Sequence, residues 1–229
     1  MVCWEQKTAL MLQTAFLRIS LFLCIGIASS CSRQEKGPIL PFYNTPEFSP
    51  QFFSTQHEAD TKITHKIADF SFTDQNGWQI TDKEIEGKVH VANFIFTSCG
   101  SICPVLTKHM KMVQAEFKND SNIVILSFSV TPWIDNVEVL KEYAKRNEIN
   151  SPNWHLLTRD KETIYSLARK SYFAEEDLGF TKDASNFLHT EHVILIDRKK
   201  RIRGIYNGTL QLENEQLIKD MKLLLQETY

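Results

Sequence analysis

The sequence predicts an α/β domain in which strands and helices alternate. Two runs of predominantly apolar residues, 89–96 and 123–130, have the length and composition of buried strands, and each is followed by a segment with apolar residues at helical spacing. A third apolar run, 192–196, leads through a charged turn into a fourth, which is typical of a hairpin. The chain has 229 residues and is 42% hydrophobic, which fits one well-filled core.

The N-terminus predicts an export signal over residues 1–30. Lys7 and Arg18 precede an apolar stretch at 19–28, which is too short to span a bilayer as a helix of roughly 20 residues. Small residues directly before Cys31 resemble the cleavage motif of bacterial lipoproteins, although an ordinary secretory signal that happens to contain a cysteine is the alternative. We therefore expect an exported, membrane-anchored lipoprotein in the cell envelope, lipidated on Cys31 and facing the periplasm or the outer leaflet.

Residues 31–66 contain four prolines and show neither helical nor strand periodicity, so they are predicted to be a tether between the membrane and the folded domain at 67–229. The domain begins with a predicted β-hairpin, because Asn76-Gly77 lies between two apolar segments.

The remaining elements follow in order along the chain. A central strand at 89–96 is followed by a helix that begins at or beside Cys103, where Pro104 suits a first helical turn. Asp160 is a candidate cap for a helix that ends near Lys170. The other predicted elements are a strand at 123–130, a helix through Val137, Leu140 and Ala144, a strand at 154–157, a mostly exposed insertion at 171–187, the hairpin at 192–206 and a C-terminal helix. This order predicts a thioredoxin-like fold with an N-terminal β-hairpin and an insertion before the last hairpin.

The net charge and the number of cysteines limit the functions that the sequence allows. The net charge is −2 and no basic stripe is present, so nothing indicates nucleic-acid binding. Of the five cysteines, Cys3 and Cys24 would leave with the signal and Cys31 would carry lipid. Cys99 and Cys103 are therefore the free pair of the mature chain.

A Cys-x-x-x-Cys pair at a helix start supports two chemistries and one structural alternative. The helix N-terminus stabilises thiolate, the form needed both for thiol-disulfide exchange and for binding a soft ion such as Cu(I). A structural disulfide is the alternative, but a bond that closes so short a loop constrains the unfolded chain little.

A metal site would need a third ligand, and the chain has seven histidines. Most are expected to be bystanders on the surface or in the core. The pattern alone ranks His189 and His192 together, because the segment that contains them leads into a strand beside the cysteine-bearing one. The other five are His57, His65, His90, His109 and His155.

Three motifs, taken together, resemble the Sco/SenC family of copper-binding, thioredoxin-fold assembly factors. They are residues 96–104 (FTSCGSICP), residues 129–132 (SVTP) with Asp135, and His189-Thr190 ahead of residues 195–197 (LID). The resemblance implies that Cys99, Cys103 and His189 hold copper for delivery to the Cu-A centre of cytochrome c oxidase. It implies as partner the oxidase subunit that carries Cu-A, or another copper or thiol client.

The sequence also departs from the family pattern. Ser101 stands between the cysteines and Thr131 before the proline, where many relatives have acidic residues. Both changes remove negative charge near the expected site and bear on copper affinity and redox poise. Asp135 and Glu191 are expected to be ordinary solvated carboxylates rather than replacements for that charge.

Three functional hypotheses follow, and they leave open whether the protein is an enzyme. The first is a membrane-tethered copper chaperone. The second is a thiol-disulfide oxidoreductase that uses the redox-active pair Cys99 and Cys103 to maintain the cysteines of an exported partner. The third is a peroxiredoxin-like peroxidase, suggested by Thr97 two residues before Cys99, although the neighbouring proline of that motif is missing.

Overall fold

A computed structural model describes residues 39–174 and 190–227, which form one seven-stranded mixed sheet with helices on both faces. The predicted signal, Cys31 and the first part of the predicted tether lie outside the described residues. In chain order the elements are α1 (Gln56–Lys62), β1 (Ser71–Asp74), β2 (Gln79–Thr81), a 3-10 turn (Asp82–Glu84), β3 (Val89–Ile95), α2 (Ile102–Phe117), β4 (Ile123–Ser129), α3 (Val137–Arg146), β5 (Trp154–Thr158), α4 (Lys161–Lys170), β6 (His192–Ile196), β7 (Ile202–Asn207) and α5 (Gln211–Gln226).

The sheet has the strand order β2-β1-β5-β4-β3-β6-β7 and is parallel only at its centre. β3 pairs in parallel with β4, which pairs in parallel with β5, while β6 runs antiparallel to β3. Every residue of β3 and β4 is buried, because helices cover both faces. The mixed architecture confirms the predicted thioredoxin-like α/β fold.

Two apolar clusters sandwich the sheet. On one face Val91 and Leu195 pack with α2, α3 and α5, through residues such as Leu106 and Leu217. On the other face α4 packs with an aromatic cluster in which the rings of Phe94 and Phe128 stack with their centroids 5.5 Å apart. Burial of whole aromatic side chains contributes about 1.5–3 kcal/mol each to folding.

The N-terminal hairpin forms where Asn76-Gly77 predicts it. Gly77 has φ +80°, a conformation that glycine adopts without steric cost. The buried Asp74 carboxylate closes the turn by accepting hydrogen bonds from the amides of Asn76, at 2.8 Å, and Trp78, at 2.9 Å. The predicted hairpin is therefore confirmed as β1 and β2.

The first residues of the predicted insertion are buried, although the insertion is predicted to be mostly exposed. Residues 171–174 are all buried, and the chain turns back after α4, with the Ala174 amide donating to the Ala168 carbonyl. Tyr172 contributes its ring to the aromatic cluster. The segment shows no periodicity because its side chains fill the core from an irregular turn, so the prediction that it is exposed is wrong for these four residues. The rest of the insertion lies outside the described residues.

Residues 39–66, the described part of the predicted tether, contact the sheet domain. The Tyr43 amide donates to the Ile202 carbonyl at 3.1 Å, and the fully buried ring of Phe42 contacts the guanidinium groups of Arg201 and Arg203, whose central carbons lie 4.7 and 3.9 Å from its centroid. Within the described ranges, the structure contains no helix that is both long and apolar enough to cross a bilayer.

Candidate metal and thiol site

The two cysteines lie where the C-terminal end of β3 turns into α2. Cys99 is in the turn, which is closed by a hydrogen bond of 3.2 Å from its amide to the Phe96 carbonyl, and Cys103 is in the first turn of α2. Cys99 is partly exposed, whereas Cys103 is 3% exposed, and both are free thiols. The two cysteines therefore lie at the end of the sheet where the C-terminal ends of the parallel strands β3 and β4 are side by side.

The sulfur of Cys99 occupies the capping position of α2. Ser101, the residue before the helix, makes no side-chain capping hydrogen bond. Instead the amide of Cys103 donates to Sγ of Cys99 at 3.4 Å, and so satisfies one of the amides that a helix start leaves unpaired.

The helix start also stabilises the Cys99 thiolate. Partial burial of Cys99 raises the pKa of its thiol, but hydrogen bonds from the backbone of Cys103, Ser101 and Ile102 outweigh that effect and lower the pKa below its ordinary value. Cys99 is therefore the more nucleophilic thiol and the more readily available metal ligand.

Cys103 has the opposite electrostatics. Burial raises the pKa of its thiol to about 12, and the neighbouring Cys99 and the Asp135 carboxylate act in the same direction. In the protein alone Cys103 is therefore protonated at neutral pH. A metal that uses both sulfurs as thiolates has to displace the Cys103 proton, which makes binding depend on pH.

Asp135 is the centre of a buried hydrogen-bond network beside this pair. Its side chain is 0% exposed. Its Oδ2 accepts from the Thr97 amide at 3.2 Å, from Ser129 Oγ at 2.6 Å and from Thr131 Oγ1 at 2.9 Å, and its Oδ1 accepts from Thr97 Oγ1 at 2.5 Å. The expectation that Asp135 is an ordinary solvated carboxylate is therefore wrong, because four donors replace its hydration.

Thr131 has a defined partner in this network. It stands where many relatives have an aspartate, and in this chain its buried hydroxyl donates to Asp135. Negative charge is therefore present close to the cysteines on Asp135 even though position 131 is neutral. Ser101 is exposed, and Glu191 is partly exposed, with a contact of 3.5 Å from Asn207 Nδ2 to its carboxylate.

The predicted ligand His189 lies outside the described residues, but the strand that follows it is described. β6 pairs with β3 so that Val193 is opposite Asn93. Continuing this antiparallel register places Thr190 level with Phe96, at the end of the sheet where the turn with the cysteines lies. The segment directly after His189 therefore reaches the same end of the sheet as the cysteines.

His192 faces the opposite side of the sheet from α2. It shares strand parity with Ile194 and Ile196, which belong to the aromatic cluster, and its ring lies edge-on to Phe48 with centroids 6.4 Å apart. Since α2 packs on the face of Val193, His192 points away from the helix that begins at the cysteines.

The other histidines have positions away from the cysteines. His90 Nε2 lies 3.3 Å from the Tyr172 hydroxyl, and His109 Nδ1 lies 2.9 Å from the Gly208 carbonyl. The remaining three are His65 beside the Ser171 carbonyl, His155 beside Asp74, and His57, exposed on α1. Among the described residues, no three His, Cys, Asp or Glu side chains are arranged to hold a metal ion, so two sulfurs are the described part of a candidate site.

The sequence pattern of the SCO1/SenC family matches residues 58–226, well over half of the chain. The chain belongs to the SCO1/SenC family. It is 30% identical to a SCO1/SenC family lipoprotein from Bacillus anthracis str. Ames, with a TM-score of 0.62 over 72% of this chain and 97% of that one. It is 28% identical to BsSco, described as a member of the Sco family of cytochrome c oxidase assembly proteins with a disulfide switch, with a TM-score of 0.60 over 72% of this chain and 95% of that one.

A solved SCO1/SenC relative with copper bound also shares the fold. ScoI of Bradyrhizobium japonicum, solved with copper bound, is 26% identical to this chain, with a TM-score of 0.55 over 70% of this chain and 99% of that one. The donor set in our structure is chemically suited to such an ion, since paired sulfurs prefer soft metals such as Cu(I).

Proposed function

We propose that this protein is an exported, membrane-anchored copper chaperone that binds copper through Cys99, Cys103 and His189 for assembly of the Cu-A site of cytochrome c oxidase. The observation that carries the proposal is the pair of thiols at the start of α2, with Cys99 stabilised as thiolate by the helix amides. Family membership supports it, because a copper-bound relative and a relative assigned to oxidase assembly share the fold.

The proposed ligand set suits both oxidation states of copper. Two thiolates are good ligands for Cu(I), and a neutral imidazole from His189 adds a borderline donor that also supports Cu(II). The buried carboxylate of Asp135 adds negative charge beside the sulfurs, which favours a bound cation.

The same geometry suits release of copper to a client. Cys99, Gly100 and Ser101 are partly or fully exposed, so ligands of another protein can approach the metal from solvent. When copper leaves, Cys103 takes up a proton again because its thiol has a raised pKa. Protonation of one ligand favours release of the metal, and it makes retention weaker as the pH falls.

The anchor is proposed to be a lipid on Cys31. The described chain begins at Ile39, whose amide donates to the Glu227 carboxylate at 3.3 Å, so residues 31–38 are the segment between the lipidated cysteine and the first described contact with the domain. Fully extended, such a segment spans about 28 Å, which keeps the domain close to the membrane surface. Mass spectrometry of the membrane fraction should detect diacylglyceryl on Cys31, and an unmodified peptide that contains Cys31 would contradict the anchor.

Copper titration of the soluble domain tests the ligand set. Wild type should bind one Cu(I) or one Cu(II), Cys99→Ala should lose both, and His189→Ala should lose Cu(II) while retaining weaker Cu(I) binding. His192→Ala is the matched control and should bind like wild type, because His192 faces Phe48 on the other side of the sheet. A wild type that binds no copper, or a His189→Ala variant that binds Cu(II) like wild type, would overturn the ligand assignment.

The second candidate is a thiol-disulfide oxidoreductase, and the unequal thiols favour it. The Cys99 thiolate would attack a client disulfide, forming a mixed disulfide and releasing one client thiolate. Cys103 would lose its proton and attack the Cys99 sulfur, which releases the second client thiolate and leaves a Cys99–Cys103 disulfide. Two electrons pass from the pair to the client. This activity would persist in His189→Ala, whereas Cu(II) binding would not, so one variant separates the two functions.

A further inference from the structure

The position of the Cys99 sulfur depends on a turn that is neither helix nor strand. Residues 96–101 connect β3 to α2, and the sulfur has to lie 3.4 Å from the Cys103 amide to cap the helix. Cys99 is itself partly exposed, so packing holds it less firmly than a core residue. The residues before it therefore determine where the thiol is presented.

One carboxylate holds the turn at Thr97, two residues before Cys99. Asp135 accepts from the Thr97 amide at 3.2 Å and from the Thr97 hydroxyl at 2.5 Å, with a different carboxylate oxygen for each. Two hydrogen bonds to one rigid planar group fix orientation as well as distance, and charge-assisted bonds of this kind are stronger than neutral ones.

The carboxylate is itself held by the end of β4. Ser129, the last residue of that strand, donates to Asp135 Oδ2 at 2.6 Å, and Thr131 donates to the same oxygen at 2.9 Å. The Asp135 amide also donates to the Thr131 carbonyl at 2.8 Å. A continuous set of short contacts thus runs from the buried strand β4 through Asp135 to Thr97 and the cysteine turn.

An aspartate suits this position better than its isosteric amide. Four donor groups on Thr97, Ser129 and Thr131 bond to the Asp135 carboxylate, and an ionised carboxylate accepts only, with capacity for about four hydrogen bonds. Asparagine would present an NH2 group to some of those donors and force hydroxyls to reorient. When its oxygen takes the place of Oδ2, its NH2 group faces the Thr97 hydroxyl, which then has to accept instead of donate, and both contacts to Thr97 lose the charge of the carboxylate.

We propose that Asp135 is a positioning residue for Cys99, acting through Thr97 to hold the thiol in the geometry that metal binding and disulfide formation need. The inference rests on the proposed function, in which Cys99 is a copper ligand and a redox thiol. It adds a specific role for a side chain that touches neither the metal nor the client.

The chain provides a matched control for this role. Asp74 is also a buried carboxylate, 2% exposed, that closes a turn by accepting from two backbone amides. It lies on β1, and β5 and β4 separate that strand from β3. Asp74→Asn should loosen a turn of the same kind without affecting the cysteines.

Competition with a chromophoric Cu(I) chelator measures how these substitutions change the Cu(I) affinity. The Cu(I) affinity of Asp135→Asn should be lower than that of wild type by about 10- to 100-fold, the usual cost of losing a group that orients a metal ligand, while that of Asp74→Asn should stay within about twofold. Thr97→Val keeps the amide contact and loses the hydroxyl, so its loss should be smaller. Thermal unfolding of the same samples shows whether each variant is folded.

Equilibration with glutathione measures the stability of the Cys99–Cys103 disulfide and needs no copper. A loosened turn lowers the effective concentration of one thiol at the other, so the equilibrium constant for the Cys99–Cys103 disulfide in Asp135→Asn should fall by about tenfold, or ~30 mV. Thr97→Val should shift in the same direction, and it serves in place of Asp135→Asn if that variant does not fold.

Three outcomes distinguish the positioning role of Asp135 from general destabilisation and from the copper proposal. Values within about twofold of wild type for Asp135→Asn and Thr97→Val in both measurements would overturn the positioning role. Equal losses in Asp74→Asn would overturn it too, because the effect would then follow general destabilisation. If wild type binds no copper while the disulfide equilibrium still shifts as expected, the copper proposal fails and the positioning role of Asp135 stands.

Discussion

The two ends of β3 bury a carboxylate in different ways. At the C-terminal end, beside the cysteines, Asp135 is 0% exposed and is satisfied by three hydroxyls and one amide. At the N-terminal end, where His90 pairs with Ile196, the equally buried Asp197 makes ion pairs with Arg201 at 2.8 Å and Arg203 at 3.3 Å.

The two carboxylates differ in how their buried charge is balanced. Around Asp197 the cations cancel the buried charge and join distant parts of the chain, since Arg201 also contacts Asp60 and Arg203 also contacts Glu227. Around Asp135, within the described ranges, no Lys, Arg or His forms an ion pair with the carboxylate. Its negative charge is therefore available to stabilise a cation bound at the neighbouring thiols.

The largest expected effect is at the ion-paired end. Arg203→Met should lower the free energy of unfolding by about 3–5 kcal/mol, because it removes the guanidinium that pairs with buried Glu227 and leaves the buried Asp197 to Arg201. Denaturant unfolding measures the loss, and copper bound per folded molecule should stay at the wild-type value. Arg159→Met is the matched control, since Arg159 is 45% exposed and should change stability little. A loss in Arg203→Met no larger than in the control would contradict the structural interpretation of this end.

A smaller effect is expected from His90 at the same end when the pH is lowered. Burial, with a contribution from Lys200, lowers the pKa of His90 to about 3. Between about pH 6.5 and pH 3 the unfolded chain binds a proton that the folded protein does not, so stability falls as the pH falls, by about 1.4 kcal/mol per pH unit. At pH 5 the loss from this histidine should be about 2 kcal/mol relative to neutral pH.

His90→Gln tests that contribution, because glutamine does not titrate. Unfolding free energies of wild type and variant, measured from pH 7 to pH 4, should converge or cross as wild type loses stability faster. Parallel profiles over that range would show that His90 does not titrate on unfolding. Copper should bind His90→Gln as it binds wild type, because the cysteines are at the other end of β3.

The regular elements could be predicted from the sequence, because periodicity and turn chemistry are local. The apolar run of β3, the start of α2 beside Cys103 and the hairpin at Asn76-Gly77 are each indicated by neighbouring residues. The Cys-x-x-x-Cys motif could also be identified from the sequence, because two cysteines at a strand-to-helix junction are typical of metal-binding and redox-active thiol sites.

Burial from irregular segments could not be predicted. Asp135 and Tyr172 lie in turns without periodicity, so nothing in their neighbourhood shows that tertiary contacts surround them. The sequence near Asp135 does hold a signal in retrospect, because Ser129 and Thr131 place two hydroxyls within six residues of a carboxylate. The orientation of His192 away from α2 depends on the strand parity of β6, which only the fold supplies.

The central claim is that copper is held by two sulfurs and one imidazole at the C-terminal end of β3. X-ray absorption at the copper edge, on the protein loaded with one Cu(I), tests it most directly. We expect two sulfur neighbours and at least one imidazole, with the imidazole signal lost in His189→Ala and retained in His192→Ala. A copper site with fewer than two sulfurs, or a spectrum that His189→Ala leaves unchanged, would contradict it.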